Sequence, residues 1–332
     1  MSTTVVSDSN SAVLNVRDLK TYYYTQRGSV KGVDGISFQV RKGEALGLAG
    51  ESGCGKTTAA LTIMRILPSN GRIVSGEMLF DEKDLTKLKE KQMRQIRWKR
   101  ISIVFQGAMN ALNPLFKVGD QIVEAIVTNE RGVSKKDAYE REGKLLELVG
   151  IQSSRGKNYP HEFSGGMRQR ALIAMALACN PSLLIADEPG TALDVIVQAQ
   201  VLKLMSELKS KLNLSMVLIT HDLSIIAELC EKTAIMYAGK IVEQGDVISI
   251  FKEPLHPYTQ GLSKAFPSLK EARRRMMSIH GSPPDLLEPP SGCRFHPRCA
   301  KAMPLCKEKE PETIKAGKGR NQYVACHLYD GS

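Results

Sequence analysis

The stretch Gly50-Glu51-Ser52-Gly53-Cys54-Gly55-Lys56-Thr57 reads G-x-x-x-x-G-K-T and decides the architecture around it. Its glycines let successive backbone N–H groups turn inward toward a polyphosphate, where no Cβ would fit. Lys56 adds a positive charge, and the Thr57 hydroxyl is of the type that ligates Mg²⁺. The run Glu44 to Ala49 predicts a strand entering this loop, and Thr57 to Leu67 predicts a helix leaving it. The positive end of that helix then faces the phosphates. A strand, a glycine loop and a helix in this order place the chain in the α/β class.

Working outward, a second glycine-rich stretch, Phe163-Ser164-Gly165-Gly166-Met167, opens a helical run to Ala178 that Ser164 is placed to cap and Asn180-Pro181 ends. Ser182-Leu183-Leu184-Ile185-Ala186-Asp187-Glu188 is an apolar run ending in two carboxylates, the pattern of a buried parallel strand that delivers acids to its C-terminal edge. Asp187 suits Mg²⁺, directly or through water, and Glu188 suits an attacking water that must be oriented and polarised. Gly190-Thr191-Ala192-Leu193-Asp194 follows, and Val195 to Leu212 reads as a long helix. A further apolar strand, Met216 to Thr220, ends in His221-Asp222, and Gln106 follows the apolar run Ile101 to Phe105.

The order G-x-x-x-x-G-K-T, Gln, S-G-G, D-E, D, His resembles that of the ATP-binding cassette (ABC) ATPases from about Val13 to about Val247. Other P-loop proteins share the first and fourth motifs but lack S-G-G. The resemblance implies ATP hydrolysis by a P-loop (RecA-like) α/β cassette with an antiparallel β subdomain and a helical subdomain at about 107–178. It implies that Gly50, Glu51, Ser52, Gly53, Cys54, Gly55, Lys56, Thr57 and Thr58 hold ATP, and that Thr57, Gln106 and Asp187 hold Mg²⁺. Glu188, His221 and Gln106 take the catalytic positions, and Asp194 the D-loop position. In this family an aromatic side chain stacks on adenine, and the Asp18-Leu19-Lys20 approach assigns it to Tyr23 within Tyr22-Tyr23-Tyr24. The other reading is three ordinary strand tyrosines. Ser164, Gly165, Gly166 and Met167 close over the nucleotide of a facing cassette, and the chain is too short to hold two cassettes. A second ABC ATPase subunit, identical or related, is therefore implied. Phe163 and Met167 depart from the usual L-S-G-G-Q; Met167 removes a polar side chain, while the backbone donors of Gly165 and Gly166 remain.

The rest of the first 255 residues fits this plan. Val13 to Val40 alternates around Gly28 and Gly32, which predicts antiparallel strands with turns there. Ile73 to Phe80 reads as an edge strand, and Val118 to Val127 and Lys135 to Val149 as helices. Lys87 to Arg100 is densely basic but carries Leu88, Met93, Ile96 and Trp98 at helical spacing, so an amphipathic surface helix is favoured over a nucleic-acid groove. The net charge of +11 suits a protein handling polyphosphate beside an anionic leaflet, and equally suits solvated Lys/Arg faces. No apolar run reaches the roughly 20 residues of a membrane span, and residues 1–11 read as a polar, disordered leader. The expected place is the cytosol, at the membrane's cytoplasmic face, with any membrane path supplied by other chains.

From 256 to 332 the pattern changes. His256-Pro257-Tyr258-Thr259-Gln260-Gly261-Leu262 precedes the basic cluster Arg273-Arg274-Arg275, a Pro-rich loop, and Cys293-Arg294-Phe295-His296-Pro297-Arg298-Cys299 with Cys306 and Cys326 beyond it. H-P-Y-T-x-G-L with a later C-x-F-x-P-R-C closely resembles the C-terminal extension of oligopeptide and dipeptide importer ATPases. That subfamily implies a [4Fe–4S] cluster on Cys293, Cys299, Cys306 and Cys326 as a structural staple. Zinc and unliganded thiols are the alternatives, with His296 and His327 as substitute ligands. A disulfide framework does not suit a reducing cytosol.

The function implied is the ATPase of an importer of peptides or related solutes such as oligosaccharides or metal chelates. Its partners would be a second ATPase, two transmembrane permease subunits and, indirectly, an extracytoplasmic solute-binding protein, with no nucleic acid. The competing readings are soluble ABC ATPases of nucleic-acid metabolism or of iron–sulfur assembly. The former usually carry coiled-coil or zinc insertions between the P-loop and the signature, whereas the interval from Lys56 to Ser164 here is ordinary and helical; the latter lack the H-P-Y-T tail.

Overall fold

The computed structural model describes residues 12–105, 107, 111–191, 193–265, 279–316 and 321–331. Gln106, the leader and the cluster Arg273-Arg274-Arg275 lie outside the described residues. In chain order the strands are β1 (Ala12–Thr25), β2 (Gly28–Arg41), β3 (Ala45–Ala49), β4 (Gly71–Phe80), β5 (Lys83–Asp84), β6 (Ile101–Val104), β7 (Leu183–Asp187), β8 (Ser215–Thr220), β9 (Lys232–Tyr237), β10 (Lys240–Asp246), β11 (Thr313–Lys315) and β12 (Tyr323–Ala325). The helices are α1 (Lys56–Met64), α2 (Glu90–Arg94), α3 (Val118–Asn129), α4 (Lys135–Leu148), α5 (Gly165–Ala176), α6 (Val195–Leu212), α7 (Leu223–Leu229), α8 (Val247–Lys252), α9 (Pro257–Ala265) and α10 (Leu305–Glu308).

The chain divides into two compact units, one of Leu14–Val40, Ala45–Thr86 and Ile219–Ser332, the other chiefly of Arg41–Glu44 and Lys87–Leu218. In the first unit, β2, β1, β4 and β5 lie in that order in one sheet, with β1 antiparallel to β4 from Leu14↔Phe80 to Tyr23↔Gly71. The turn joining β1 to β2 falls at Gln26–Arg27, not around Gly32, which lies inside β2. A Cβ on Gly32 would come within 3.0 Å of the Tyr23 ring, so this glycine serves packing rather than a turn. β3 is buried at all five residues, as a parallel strand covered on both faces must be, and pairs parallel with β9. α1 stops at Arg65, earlier than its sequence suggests. Arg65 adopts the left-handed conformation (φ 51°), and its N–H and that of Ile66 turn back to Thr62 O and Leu61 O.

The tail joins this unit as ordered structure. β12 pairs antiparallel with β10, and β11 with β12. Ala316, Val324 and Cys326 form a small core with Leu255, Ile314 and Tyr329 packed against it.

In the second unit β8, β7 and β6 are neighbours in that order, and β6 runs parallel to β7 from Ile101↔Leu183 to Val104↔Ala186. α3 and α4 fall where helical periodicity places them. Both pack on the segment Ser153–Lys157, where Glu142 of α4 sits 6% exposed in a slot between two glycines. A Cβ on Gly119 or Gly156 would stand 2.6 or 2.1 Å from its Oε1. The long amphipathic helix expected at Lys87 to Arg100 is a single short turn instead, Glu90–Arg94. Trp98 takes φ +67°, and its N–H bonds Ile101 O, folding the segment back on itself; this closure outweighs a helical pattern too short to propagate alone.

Candidate nucleotide site

The phosphate loop begins where β3 ends, and its glycines are imposed by close backbone approach. Gly50 (φ 150°) and Gly55 (φ 107°) have positive φ, and a Cβ on them would meet Met236 O at 2.2 Å and Gly32 O at 2.1 Å. Gly53, by contrast, has nothing within 4 Å on its Cβ side, so the loop stands open there. α1 starts behind it with no side-chain cap, leaving its first N–H groups to an anion. Lys56 is 6% exposed and donates from Nζ to Gly50 O (2.7 Å) and Glu51 O (3.1 Å). Its charge is thus parked on the loop's own carbonyls, within a side-chain rotation of any phosphate above them. Thr57 is exposed at the same mouth. A cradle with free N–H groups, a stored ammonium and an exposed hydroxyl fits a nucleotide polyphosphate and its Mg²⁺.

Cys54 is buried at 3% exposure, and that burial pushes its thiol up despite the neighbouring Lys56 ammonium. Tyr23 is half-buried against Gly32 and Gly71 and donates its hydroxyl to Thr58 Oγ1 (3.2 Å). Tyr22 donates to Asp34 Oδ1 (2.6 Å), and Tyr24 is 52% exposed. His221 is exposed on the turn before α7, whose N-cap is Asp222.

In the second unit Asp187 ends β7 at 1% exposure. Glu188 follows in the left-handed region (φ 47°) and accepts from Thr191 Oγ1 at 2.9 Å. A non-glycine residue held there costs about 1–2 kcal/mol, which the surrounding structure must offset. Ser164 caps α5, accepting from Met167 N–H at 3.3 Å, and a Cβ on Gly166 would stand 2.5 Å from Val197 of α6. Asp194 caps α6 through Val197 N–H (2.9 Å), and the next two residues, Val195 and Ile196, are 82% and 73% exposed. Asp187 ends the strand and Ser164 caps the helix that the sequence predicts, Glu188 stands one residue past the strand, and the capping role of Asp194 is one the sequence reading did not assign.

The tail contributes residues that its motifs contain but to which the sequence assigns no role. Tyr258 of α9 is fully buried and accepts Glu51 N–H on its hydroxyl at 2.9 Å. Arg298 forms a fork to the Glu51 carboxylate (2.7 and 3.0 Å) with its guanidinium over the Tyr237 ring. Arg294 donates to Asp34 and to Ala238 O. Phe295, between these arginines, packs on Tyr237, Tyr258 and His256 with ring centroids 5.1, 5.3 and 5.6 Å away. His256 is held neutral by burial, pushed down to about 3, and accepts Tyr258 N–H on Nδ1. The buried Glu243 carboxylate accepts from Leu255 N–H, His256 N–H and Gln322 Nε2.

The iron–sulfur expectation finds no support among the described residues. Among the described residues no three His, Cys, Asp or Glu side chains converge to hold a metal ion, so a cluster on Cys293, Cys299, Cys306 and Cys326 is not supported. Burial first, and then the neighbouring Cys306, Cys326 and Cys299, push the Cys293 thiol up to about 11. The aromatic cluster, the Glu243 network and the added strands supply the cohesion that a staple was invoked to provide.

Comparison with known proteins adds the following. Residues 33–191 match the family model described as ABC transporter, and residues 242–306 that described as Oligopeptide/dipeptide transporter, C-terminal region. The chain is 48% identical to the probable peptide ABC transporter ATP-binding protein y4tR of Sinorhizobium fredii, covering 90% of each. It is 46% identical to the dipeptide transport ATP-binding protein DppD of Bacillus subtilis (96% of this chain, 95% of that one). It is 45% identical to the oligopeptide transport ATP-binding protein OppD of Escherichia coli (90% and 89%). The fold matches cbiO1 from Clostridium perfringens, part of the ABC transporter complex cbiONQ, with TM-score 0.63 and 26% identity over 73% of this chain and 92% of that one. It also matches the ATP-binding cassette MJ0796 in a dimeric post-hydrolysis state bound to ADP and Pi (TM-score 0.63, 24% identity, 70% and 98%). No described helix is long and apolar enough to cross a membrane.

Proposed function

Because the chain belongs to the ATP-binding subunits of ABC transporters and is an ATPase of that family, we propose that it energises a membrane importer of peptides. The observation that carries this is the joint match to a cassette and to the oligopeptide/dipeptide C-terminal region, in relatives of nearly equal length named for peptide transport. On this reading residues 12–255 are the cassette, with its helical subdomain at about 107–178, and 256–332 the extension.

The roles follow from the chemistry of each group. Gly50 to Thr58 take the phosphates, Lys56 transferring its hydrogen bonds from carbonyls to phosphate oxygens, and Tyr23 offers its ring to adenine. Thr57, Asp187 and Gln106 would hold Mg²⁺, which would supply charge neutralisation to the phosphates. Glu188 polarises the attacking water, and His221 steadies the γ-phosphate and Glu188. Phosphoryl transfer needs little else from protein than such positioning. Ser164, Gly165, Gly166 and Met167 serve the nucleotide of a second ATPase subunit, identical or related. The exposed Val195-Ile196 pair beside Asp194 supports a partner surface there, since apolar side chains so exposed cost solvation unless covered. Two transmembrane permease subunits, on whose cytoplasmic face this ATPase sits and which an extracytoplasmic solute-binding protein feeds, complete the assembly. Nothing favours the nucleic-acid or iron–sulfur assembly readings.

The test is Glu188→Gln. Turnover should fall at least a hundredfold while ATP stays bound and a closed dimer accumulates on size exclusion with Mg-ATP. Brisk hydrolysis by this variant removes Glu188 from its role. Peptide uptake by the reconstituted importer that persists without this subunit removes the transport assignment.

A further inference from the structure

Glu51 puts a carboxylate inside a loop that, on the reading above, must receive a polyanion. Every polar group of this residue is engaged within its own unit. Its N–H donates to Tyr258 Oη (2.9 Å), its carbonyl accepts from Lys56 Nζ (3.1 Å), and its two carboxylate oxygens take the Arg298 fork. Arg298 in turn is saturated. Nε donates to His280 O (2.9 Å) and Nη2 to Gly281 O (3.1 Å) and Ile279 O (3.3 Å), while Nη1 reaches Tyr237 Oη (3.4 Å). Its side chain is 6% exposed. A guanidinium with all its donors committed cannot swing away at small cost, so it fixes Glu51 rather than following it.

We propose that Arg298, from the C-terminal extension, is a positioning residue of the ATP site that acts through Glu51. It neutralises the one carboxylate in the phosphate loop and so keeps Lys56 for the nucleotide. Without Arg298 the Glu51 carboxylate is an unpaired anion beside the loop's own cation, and it both attracts Lys56 and repels phosphate. Tyr258 holds the same residue by its backbone. The extension thus reaches the chemistry with two side chains, and the cysteine-flanked segment Cys293–Cys299 is the carrier of one of them. The proposal rests on Gly50 to Thr57 being the ATP loop.

The experiment measures Mg-ATP binding by isothermal titration on the full chain, with melting temperatures recorded alongside. Arg298→Ala should weaken ATP at least tenfold. Adding Glu51→Gln to it should restore affinity to within threefold of wild type, because the offending charge is then gone. A brace that is only structural would lower the melting temperature of single and double variants alike and give no such recovery. The proposal is overturned if Arg298→Ala binds ATP like wild type, or if Glu51→Gln leaves the defect in place. Should Arg298→Ala fail to fold, Arg298→Met, which keeps the buried stem, is compared with and without Glu51→Gln under the same criteria. Wild-type protein that binds no ATP would instead remove the assignment of the loop itself.

Discussion

Glu142 offers a measurement of what a buried carboxyl costs this fold. The side chain is 6% exposed in its two-glycine slot, with Oε1 lacking a hydrogen-bond partner and Asp120 the charged neighbour that opposes its ionisation. Burial first, and Asp120 second, push it up to about 7 from an ordinary value of 4.5. The folded state therefore binds the proton more tightly than the unfolded chain does. Stability from this group is fully present below pH 4.5 and is lost as pH rises to about 7. At about 1.4 kcal/mol per pH unit across that gap, ionising Glu142 at pH 8 costs about 3 kcal/mol. Glu142→Gln keeps the shape and removes the charge. Urea denaturation at pH 8 should show the variant about 2–3 kcal/mol more stable than wild type, with the advantage gone near pH 4.5. Equal stabilities at pH 8, or a difference that does not change with pH, would refute the claim that desolvation governs this carboxyl.

Three further outcomes are expected. His256 has the opposite sign: its folded value near 3 lies below the ordinary 6.5, so stability is lost as pH falls below 6.5, by about 2 kcal/mol at pH 5. His256→Asn, which keeps an acceptor for Tyr258 N–H, should flatten the acid limb of the stability profile, and an unchanged limb would contradict a buried neutral imidazole. Gly55→Ala forces a Cβ to 2.1 Å from Gly32 O and should abolish ATP binding while β-sheet circular dichroism persists; retained affinity would mean the loop can relax. Cys54, buried with its thiol pushed up, should resist iodoacetamide at pH 8 in folded protein and react on unfolding, as peptide mass mapping would reveal.

What could be read from the chain in advance was local. Strand, glycine loop and helix around Lys56 are encoded within some twenty consecutive residues, and the cap Ser164 announces α5 by its position alone. The failures are of two kinds. α2 is short because Trp98, at φ +67°, turns the backbone so that its N–H bonds Ile101 O, a local turn that helical periodicity does not announce. Glu142 looks like one more surface acid of an amphipathic helix until Gly119 and Gly156 close on it from elsewhere in the chain. In the tail, the cysteines drew notice by their spacing, while the side chains that reach the phosphate loop and its neighbours are Arg294, Phe295 and Arg298 between them. An arginine and a glutamate 247 positions apart leave no pattern in either neighbourhood.

That separation has a consequence for biosynthesis. A ribosome releases the glycine loop well before the arginine that grips it, 247 positions further on, so nascent chains pass through that whole interval with the loop unanchored. Closing so distant a pair carries a loop-entropy penalty that local contacts do not, which places it late in folding. A premature stop codon within residues 256–297 would accordingly yield a product that keeps every motif through His221 and lacks the arginine that grips Glu51.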